Sequence, residues 1–263
     1  MTGHFESTED WSGEVALVTG GRGDIGADIV EALLARGVRV ASADLRLPVT
    51  PTGADRNRRD DIVDVTDQAA VESWVGSVTE NWGTPTIVVI AAGISHGSRL
   101  VNTTPEEWRS VLSTCLDGAF YTARAAITRM LERGVRGRLV FIGSWAAHAP
   151  HPHIGSYSVA KAGLRALAQT LALDHAADGI LVNEVAPGIV EAGLSKTLFD
   201  QDPALKVRTM ASIPIGVALV PADVTRDVMH LCSPANRKTT GAVLVSDGGL
   251  SIASTMNPGG ICG

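Results

Sequence analysis

The 263-residue chain has only three cysteines, Cys115, Cys232 and Cys262, an odd number at wide spacings. That leaves neither a disulfide framework nor the paired ligands of a structural zinc, and it suits a reducing, cytoplasmic compartment. A surplus of positive charge is missing too. The formal net charge is -6 and the lysines and arginines are scattered, so no basic field exists to draw a nucleic acid or an anionic membrane. No run approaches the ~18 apolar residues of a membrane span. The opening MTGHFESTEDWSG has no apolar secretory core, and low-complexity tracts are absent. What is present is 45% hydrophobic residue, enough for a large core in one α/β domain.

From Glu14 onward, short β-branched runs (EVALVTG, VRVASAD, TIVVIAAG, GRLVFIGS) alternate with longer segments of helical period. That rhythm predicts repeated βαβ units: a Rossmann-like, doubly wound parallel sheet with helices on both faces. Seven strands are expected, near residues 14–19, 38–43, 61–64, 86–91, 137–143, 180–186 and 242–246. Residues 1–12 read as a flexible N-terminal tail and 13–263 as one domain. Segment 45–60, with two prolines and a charge run, reads as a surface loop. The closing STMNPGGICG reads as an irregular tail.

Directly after the first strand comes Thr19-Gly20-Gly21-Arg22-Gly23-Asp24-Ile25-Gly26, then a helix-forming run. A glycine-rich strand-to-helix turn lets the backbone approach a pyrophosphate, whose charge is stabilised by free N–H groups and the positive end of the helix. Alone it is equally a plain tight turn; in the first βαβ unit it points to a dinucleotide. The second strand ends in Asp44, 24 residues past Gly20. At that offset a carboxylate accepts hydrogen bonds from the adenosine ribose of NAD and repels the 2′-phosphate of NADP. Arg46 is a counter-signal, because arginine pairs with phosphate.

Ser144 follows the strand GRLVFIG, Tyr157 comes thirteen residues later, and Lys161 lies one helical turn beyond. Residues four apart share a helix face, so the lysine ammonium favours the phenolate of Tyr157 over the phenol. Such a pair is common on helix surfaces. Here it follows the fifth strand, at the sheet edge where open α/β folds bind ligands.

Together these pieces resemble the short-chain dehydrogenase/reductase family, from Val15 to about Ser251. The matching parts are the TGGRGDIG turn, Asp44, Asp64-Val65, Ala92-Gly93, Ser144, Tyr157-x-x-x-Lys161, Asn183, Pro187-Gly188 and Asp247-Gly248-Gly249. The resemblance implies a homotetramer or homodimer that moves a hydride between NAD(H) and a secondary alcohol or ketone. Ser144 would hydrogen-bond the substrate oxygen, Tyr157 would exchange the alcohol proton, and Lys161 would hold the nicotinamide ribose. NAD would lie along Gly20, Arg22, Asp24, Ile25 and Gly26, with Asp44 and Leu45 at the ribose and Asp64 and Val65 flanking adenine. Ala91, Ala92, Gly93, Tyr157, Lys161, Pro187, Gly188 and Ile189 would complete the site.

Four departures stand out. Asp24 replaces the middle glycine of the family's turn and brings a carboxylate toward the pyrophosphate. Ile90 and Ala91 replace a pair of asparagines that bridge strands. Ala192 replaces a threonine that bonds the carboxamide. Cys115 replaces the family's fourth catalytic residue, an asparagine, and a thiol is a weak substitute for an amide's paired groups; as a free cysteine it is expected to fill core space.

Around the substrate, His96, Trp145, His148 and His153 are the candidate wall, although loop histidines equally face solvent. A metal held by His148, His151 and His153 is not expected, because prolines constrain that loop and no carboxylate or cysteine joins it. The span 193–215 sits where the family has a mobile lid, with Leu194, Leu198, Phe199 and Met210 as an apolar cover. Sugars, polyols and cyclic secondary alcohols fit an NAD-linked oxidation. The alternatives are a 3-oxoacyl-type reductase and a non-catalytic NAD sensor or scaffold.

Overall fold

The computed structural model describes residues 9–46 and 55–253. Residues 1–8, the middle of the 45–60 segment (47–54) and the tail from 254 onward lie outside them. Five consecutive buried residues form β1 (Val15–Thr19), followed by α1 (Asp24–Leu34), β2 (Arg39–Asp44) and β3 (Arg58–Ile62). Next come α2 (Gln68–Trp82), β4 (Ile87–Ile90) and α3 (Pro105–Leu112), which runs through a π-helical turn at Ser113–Asp117 into α4 (Gly118–Arg133). The chain continues as β5 (Arg138–Ile142), α5 (Gly155–His175) and β6 (Leu181–Pro187). It ends with α6 (Gly193–Gln201), α7 (Pro203–Ser212), α8 (Pro221–Cys232), β7 (Val243–Ser246) and α9 (Leu250–Ala253).

The seven strands are parallel in the order β3-β2-β1-β4-β5-β6-β7. Strand side chains alternate between faces, and both faces are apolar here, as a sheet covered on both sides requires. Val15 and Leu17 pack with Trp74, Ala126 and Leu164 of α2, α4 and α5. Ala16 and Val18 pack with Ile29, Leu33 and Val228 of α1 and α8.

Two expectations need correction. The third strand lies three residues earlier than 61–64, so Arg58–Asp60 of the expected loop is strand. Its periodicity is carried by charge: Arg58 and Asp60 pair with each other, Arg58 reaching Glu31 on α1, while Arg59 and Asp61 reach Ser77 and Trp74 on α2. A charged edge strand resists pairing with other chains. The expected flexible tail is also docked from residue 9: Glu9 accepts the Ser233 hydroxyl at 2.6 Å, and Trp11 is 5% exposed in the α1/α8 core with Arg36 over its ring. Burying an indole supplies enough apolar area to hold a short polar segment in place.

Candidate active site

β1 and β4 are neighbours in the sheet, yet the chain leaves them toward opposite edges, which opens a crevice at their carboxyl ends. Gly20 lines it with φ +69°, and a Cβ there would sit 2.8 Å from the Ala92 nitrogen. Gly26, in the first turn of α1, lies against the Gly20 carbonyl, leaving no room for a side chain. Ile25 beside it packs on the α1/α8 core. No side chain caps α1 at Gly23, so its start remains open to an anion. Thr19 Oγ1 accepts the N–H groups of Ala91 (3.2 Å) and Ala92 (3.4 Å), bridging the strands where the family's asparagines are missing.

Asp44 closes β2. Its carboxylate accepts the backbone N–H of Arg22 at 3.1 Å and of Arg46 at 3.2 Å. The Arg22 side chain is paired with Asp60. Asp60 also accepts Ser42 Oγ at 2.7 Å and Arg58 Nε at 2.9 Å. Burial works against its charge, but these partners outweigh it and hold the carboxyl below its ordinary range. Arg46 is largely exposed, 3.6 Å from Asp44, and Leu45 beside it is 66% exposed. Asp64 accepts the amide and hydroxyl of Thr66, while Val65 is buried against Gly118. The cradle and the Asp44 carboxylate fit a nicotinamide dinucleotide. Asp24 stands in the first turn of α1, beside this cradle, and its carboxylate accepts the N–H of Gly193 at 2.7 Å.

β5 and α5 carry the candidate reacting groups. Ser144 follows it in extended conformation, 5% exposed, its Oγ accepting the Ala146 N–H at 3.1 Å as the cap of a one-turn helix, Trp145–Ala147. Tyr157 lies in the first turn of α5. Lys161 is buried one turn on; its Nζ donates to the Ile142 carbonyl at 2.7 Å and lies 5.5 Å from the Tyr157 ring centre. Cys115, in the π turn, is buried with Val111 and Ala160, and Tyr157 packs against that cluster. Its Sγ accepts the Ile94 N–H at 3.4 Å and donates to the Ile94 carbonyl at 3.3 Å. The thiol thus fills core space and also makes both backbone bonds, which its weak chemistry argues against. Gly93 separates it from Lys161: a Cβ on Gly93 would lie 3.5 Å from Sγ and 3.6 Å from Nζ.

β6 leads into Pro187, Gly188 and Ile189; Gly188 N–H donates to Ser246 and the Ile189 carbonyl accepts Leu219 N–H. The 193–215 span forms α6 and α7, with Phe199 buried and Leu198 41% exposed. Met210 packs near Trp145, Ile213 and Leu250. The side chain of Leu194 lies outside the described residues. A cleft of about 570 Å³ opens beside Trp145, lined among others by Pro150, His151, Ile189, Pro214 and Leu250.

The expected histidine wall is rearranged. Among the described residues, His151 lines this cleft while His96, His148 and His153 do not. His148 turns toward the charges of Arg165, Glu184 and Asp247; burial and then Arg165 push its pKa below the ordinary 6.5. His153 is exposed, with φ +71°, and gives its carbonyl to Ser98 N–H. In so proline-rich a loop, residue spacing carries no facing information, so neither His151 nor the distant Leu250 is readable as lining. No set of three His, Cys, Asp or Glu side chains assembles a metal site among the described residues, and no helix there is long and apolar enough to cross a membrane.

A dinucleotide cradle at the switch point, next to a serine, tyrosine and lysine at the end of β5, defines a nicotinamide-dependent oxidoreductase of CH–OH groups and ketones. The family model described as Enoyl-(Acyl carrier protein) reductase matches residues 21–251. The 3-oxoacyl-(acyl-carrier-protein) reductase of Escherichia coli K12 is 31% identical over 92% of this chain and 98% of its own length. The NADP-dependent (R)-specific alcohol dehydrogenase of Lentilactobacillus kefiri is 30% identical over the same shares. Among solved structures, a single-residue variant of actinorhodin polyketide ketoreductase with NADPH superposes with TM-score 0.82 at 29% identity, covering 90% of this chain and 97% of that one. The aldohexose dehydrogenase of Thermoplasma acidophilum shares the fold, with TM-score 0.84 at 24% identity over 91% and 94%. The chain belongs to the short-chain dehydrogenase/reductase family.

Proposed function

We propose that this protein interconverts a secondary alcohol and its ketone with NAD(H), using Tyr157 as acid/base, Ser144 as hydrogen-bond partner of the substrate oxygen, and Lys161 as the cation that favours the phenolate. The observation that carries the reading is Lys161, buried and tied to the Ile142 carbonyl at 2.7 Å, with its ammonium 5.5 Å from the Tyr157 ring. A fixed positive charge beside the phenol is placed to offset the negative charge that develops on its oxygen in the transition state. During oxidation Tyr157 takes the alcohol proton while Ser144 holds the same oxygen; in reduction Tyr157 returns it. NAD, when bound, supplies the hydride acceptor.

The cofactor preference rests on Asp44. Its carboxylate is fixed by two backbone N–H groups at the end of β2, where it favours ribose hydroxyls and repels a 2′-phosphate. Arg22, the cation in the glycine turn, is already paired with Asp60. The kefir alcohol dehydrogenase is NADP-dependent and the ketoreductase was solved with NADPH, so this is where the chain departs from those relatives. Along the dinucleotide, Gly20, Gly26, Asp64, Val65 and the 91–93 and 187–189 segments keep the roles their positions suggest. Exposed Phe120, Val159 and Leu173 on α4 and α5 support a homodimer or homotetramer, and the unpaired, buried Cys115 and Cys232 suit a cytoplasmic enzyme.

The test is absorbance of the reduced cofactor with purified protein, a panel of alcohols and ketones, and NAD and NADP in parallel. Turnover with NAD is expected, and Tyr157→Phe should lower kcat about 10²–10⁴-fold without weakening NAD binding. Preference for NADP would overturn the reading of Asp44. The likeness to the Escherichia coli enzyme favours, as a second reading, reduction of a 3-oxoacyl thioester, which an acetoacetyl thioester in the same assay detects. Cofactor binding with no turnover would favour a sensor.

A further inference from the structure

The cleft beside the reacting groups differs from what a polyhydroxylated substrate needs. Trp145 follows Ser144 and Ile189 follows Gly188 in the chain, and both line the 570 Å³ cleft, which therefore lies beside the residues assigned to the substrate oxygen and the nicotinamide. Its wall is built from Trp145, Ala149, Pro150, Ile189, Pro214 and Leu250, and no charged side chain lines it among the described residues. Apart from the indole N–H of Trp145, the polar lining side chains are Ser212 and His151, and both are engaged. The Ser212 hydroxyl donates to the Thr209 carbonyl at 2.7 Å. His151 donates Nδ1–H to the Pro152 carbonyl at 2.8 Å. Its ring also stands edge-on to Trp145, with centroids 5.7 Å apart. Of the charged groups around His148, Arg165 and Glu184 are paired with each other, and Asp247 accepts the N–H groups of Gly249 and Ser251. A sugar or polyol bound here would lose water from several hydroxyls and find too few partners to replace it, at a cost for every group left unpaired. An apolar ring would meet indole, proline and aliphatic surface and gain from burial.

We infer that the substrate carries a bulky, uncharged apolar group next to the reacting carbon, an aryl-fused or cycloalkyl secondary alcohol or its ketone, rather than the hydroxyls of a sugar or polyol. This rests on the oxidoreductase reading above. The experiment measures kcat/KM for the full chain with NAD on 1-tetralol, 1-phenylethanol and cyclohexanol against glucitol, glucose and gluconate. The expected result is a preference for 1-tetralol over glucitol on the order of 100-fold or more. A second arm places a carboxylate on the exposed rim of the cleft: Ala211→Asp should raise KM for 1-tetralol about tenfold while KM for NAD stays unchanged.

A preference for glucitol, glucose or gluconate would overturn the inference and leave the oxidoreductase reading standing. An unchanged 1-tetralol KM in Ala211→Asp would likewise overturn it, because the apolar group would then lie elsewhere. No turnover of any of the six, their ketones or the acetoacetyl thioester, with either cofactor in its matching redox state, would overturn the oxidoreductase reading itself, whereas reduction of the thioester alone would overturn only this inference.

Discussion

The carboxylate of Asp24 accepts the backbone N–H of Gly193 at 2.7 Å, joining the first turn of α1 to the first turn of α6 across 169 residues of sequence. One end of this contact lies at the start of α1, just after the glycine turn, and the other at the start of the α6–α7 pair, whose last residues Ala211 and Ser212 line the cleft beside Trp145. A carboxylate at a helix N-terminus stabilises the helix; under the proposed cofactor placement it would compete with the dinucleotide phosphates for the same positive end.

Separating these effects takes two substitutions. Asp24→Asn keeps an acceptor for Gly193 and removes the charge; NAD should bind about two- to fivefold more tightly, the size of one helix-terminal charge interaction. Asp24→Gly should match that gain and also speed hydrogen exchange in residues 193–201, because the contact to α6 is gone. Titration of NAD and exchange measured by mass spectrometry provide the readings. Weaker NAD binding in Asp24→Asn would mean that the carboxylate supports the cofactor.

The parts of this protein legible in its sequence are those set by local chemistry. Val15–Thr19 is an apolar run ended by glycines, and both the strand and the turn follow from it. Tyr157 and Lys161 lie one helical turn apart, so spacing alone puts them on one face, whereas Ser144 follows the end of β5, to which Lys161 is tied through the Ile142 carbonyl. β3 starts earlier than expected because the alternation of Arg58, Arg59, Asp60 and Asp61 is one of charge, invisible to a search for apolar period. Trp11 reads as part of a tail because its partners, Arg36 and α8, are remote in sequence. The Asp24–Gly193 bond and the turn of His148 toward Arg165 depend in the same way on contacts that only the folded chain creates.

Arg165 grips Glu184 through two bonds of 2.9 Å, Nε to Oε2 and NH2 to Oε1. Glu184 is 1% exposed on β6, and its carboxyl lies directly against Gly143, the residue that leads into Ser144. Removing the guanidinium strands a buried carboxylate, at a cost of about 3–5 kcal/mol. Arg165→Met should therefore lower the melting temperature by about 10 °C for a chain of this size. The double variant Arg165→Met/Glu184→Leu should recover most of the loss, since no unpaired charge remains. Equal melting of Arg165→Met and the natural protein would show that the pair is dispensable.

Acid stability should fall in two separable steps. Burial, followed by the charge of Arg165, keeps the folded His148 pKa below 6.5 despite the opposing carboxylates of Glu184 and Asp247. The unfolded chain thus takes up that proton first, and stability, complete above pH 6.5, declines as pH falls below it. Asp247 belongs to a lower step. Burial raises its pKa, but the hydroxyl and N–H of Ser251 and the N–H of Gly249 outweigh that and hold it below 3.8. Its contribution is present above pH 3.8 and is lost as pH falls through the folded value. Urea midpoints across pH 3–8 should show the upper step disappear in His148→Gln and the lower one shrink in Asp247→Asn.

Cys115 occupies the π turn between α3 and α4, a local widening that pushes its side chain toward Ile94 and the site. The thiol makes both backbone bonds to Ile94, each long, as expected of sulfur. Cys115→Ala would take both bonds from the part-buried N–H and carbonyl of Ile94, so a loss of about 1 kcal/mol should appear in chemical denaturation. Cys115→Ser, which keeps a donor and an acceptor, should lose less. Cys115→Asn is the more telling variant. An amide carries the same donor and acceptor functions, and the space over Gly93 toward Lys161 is free of any Cβ, so the folded protein should tolerate it with turnover near the natural value. That outcome would mean protons leave Tyr157 by a path independent of position 115. A large rise in kcat would instead show that the natural sequence works with an impaired relay, and that the thiol is kept for packing at the expense of rate.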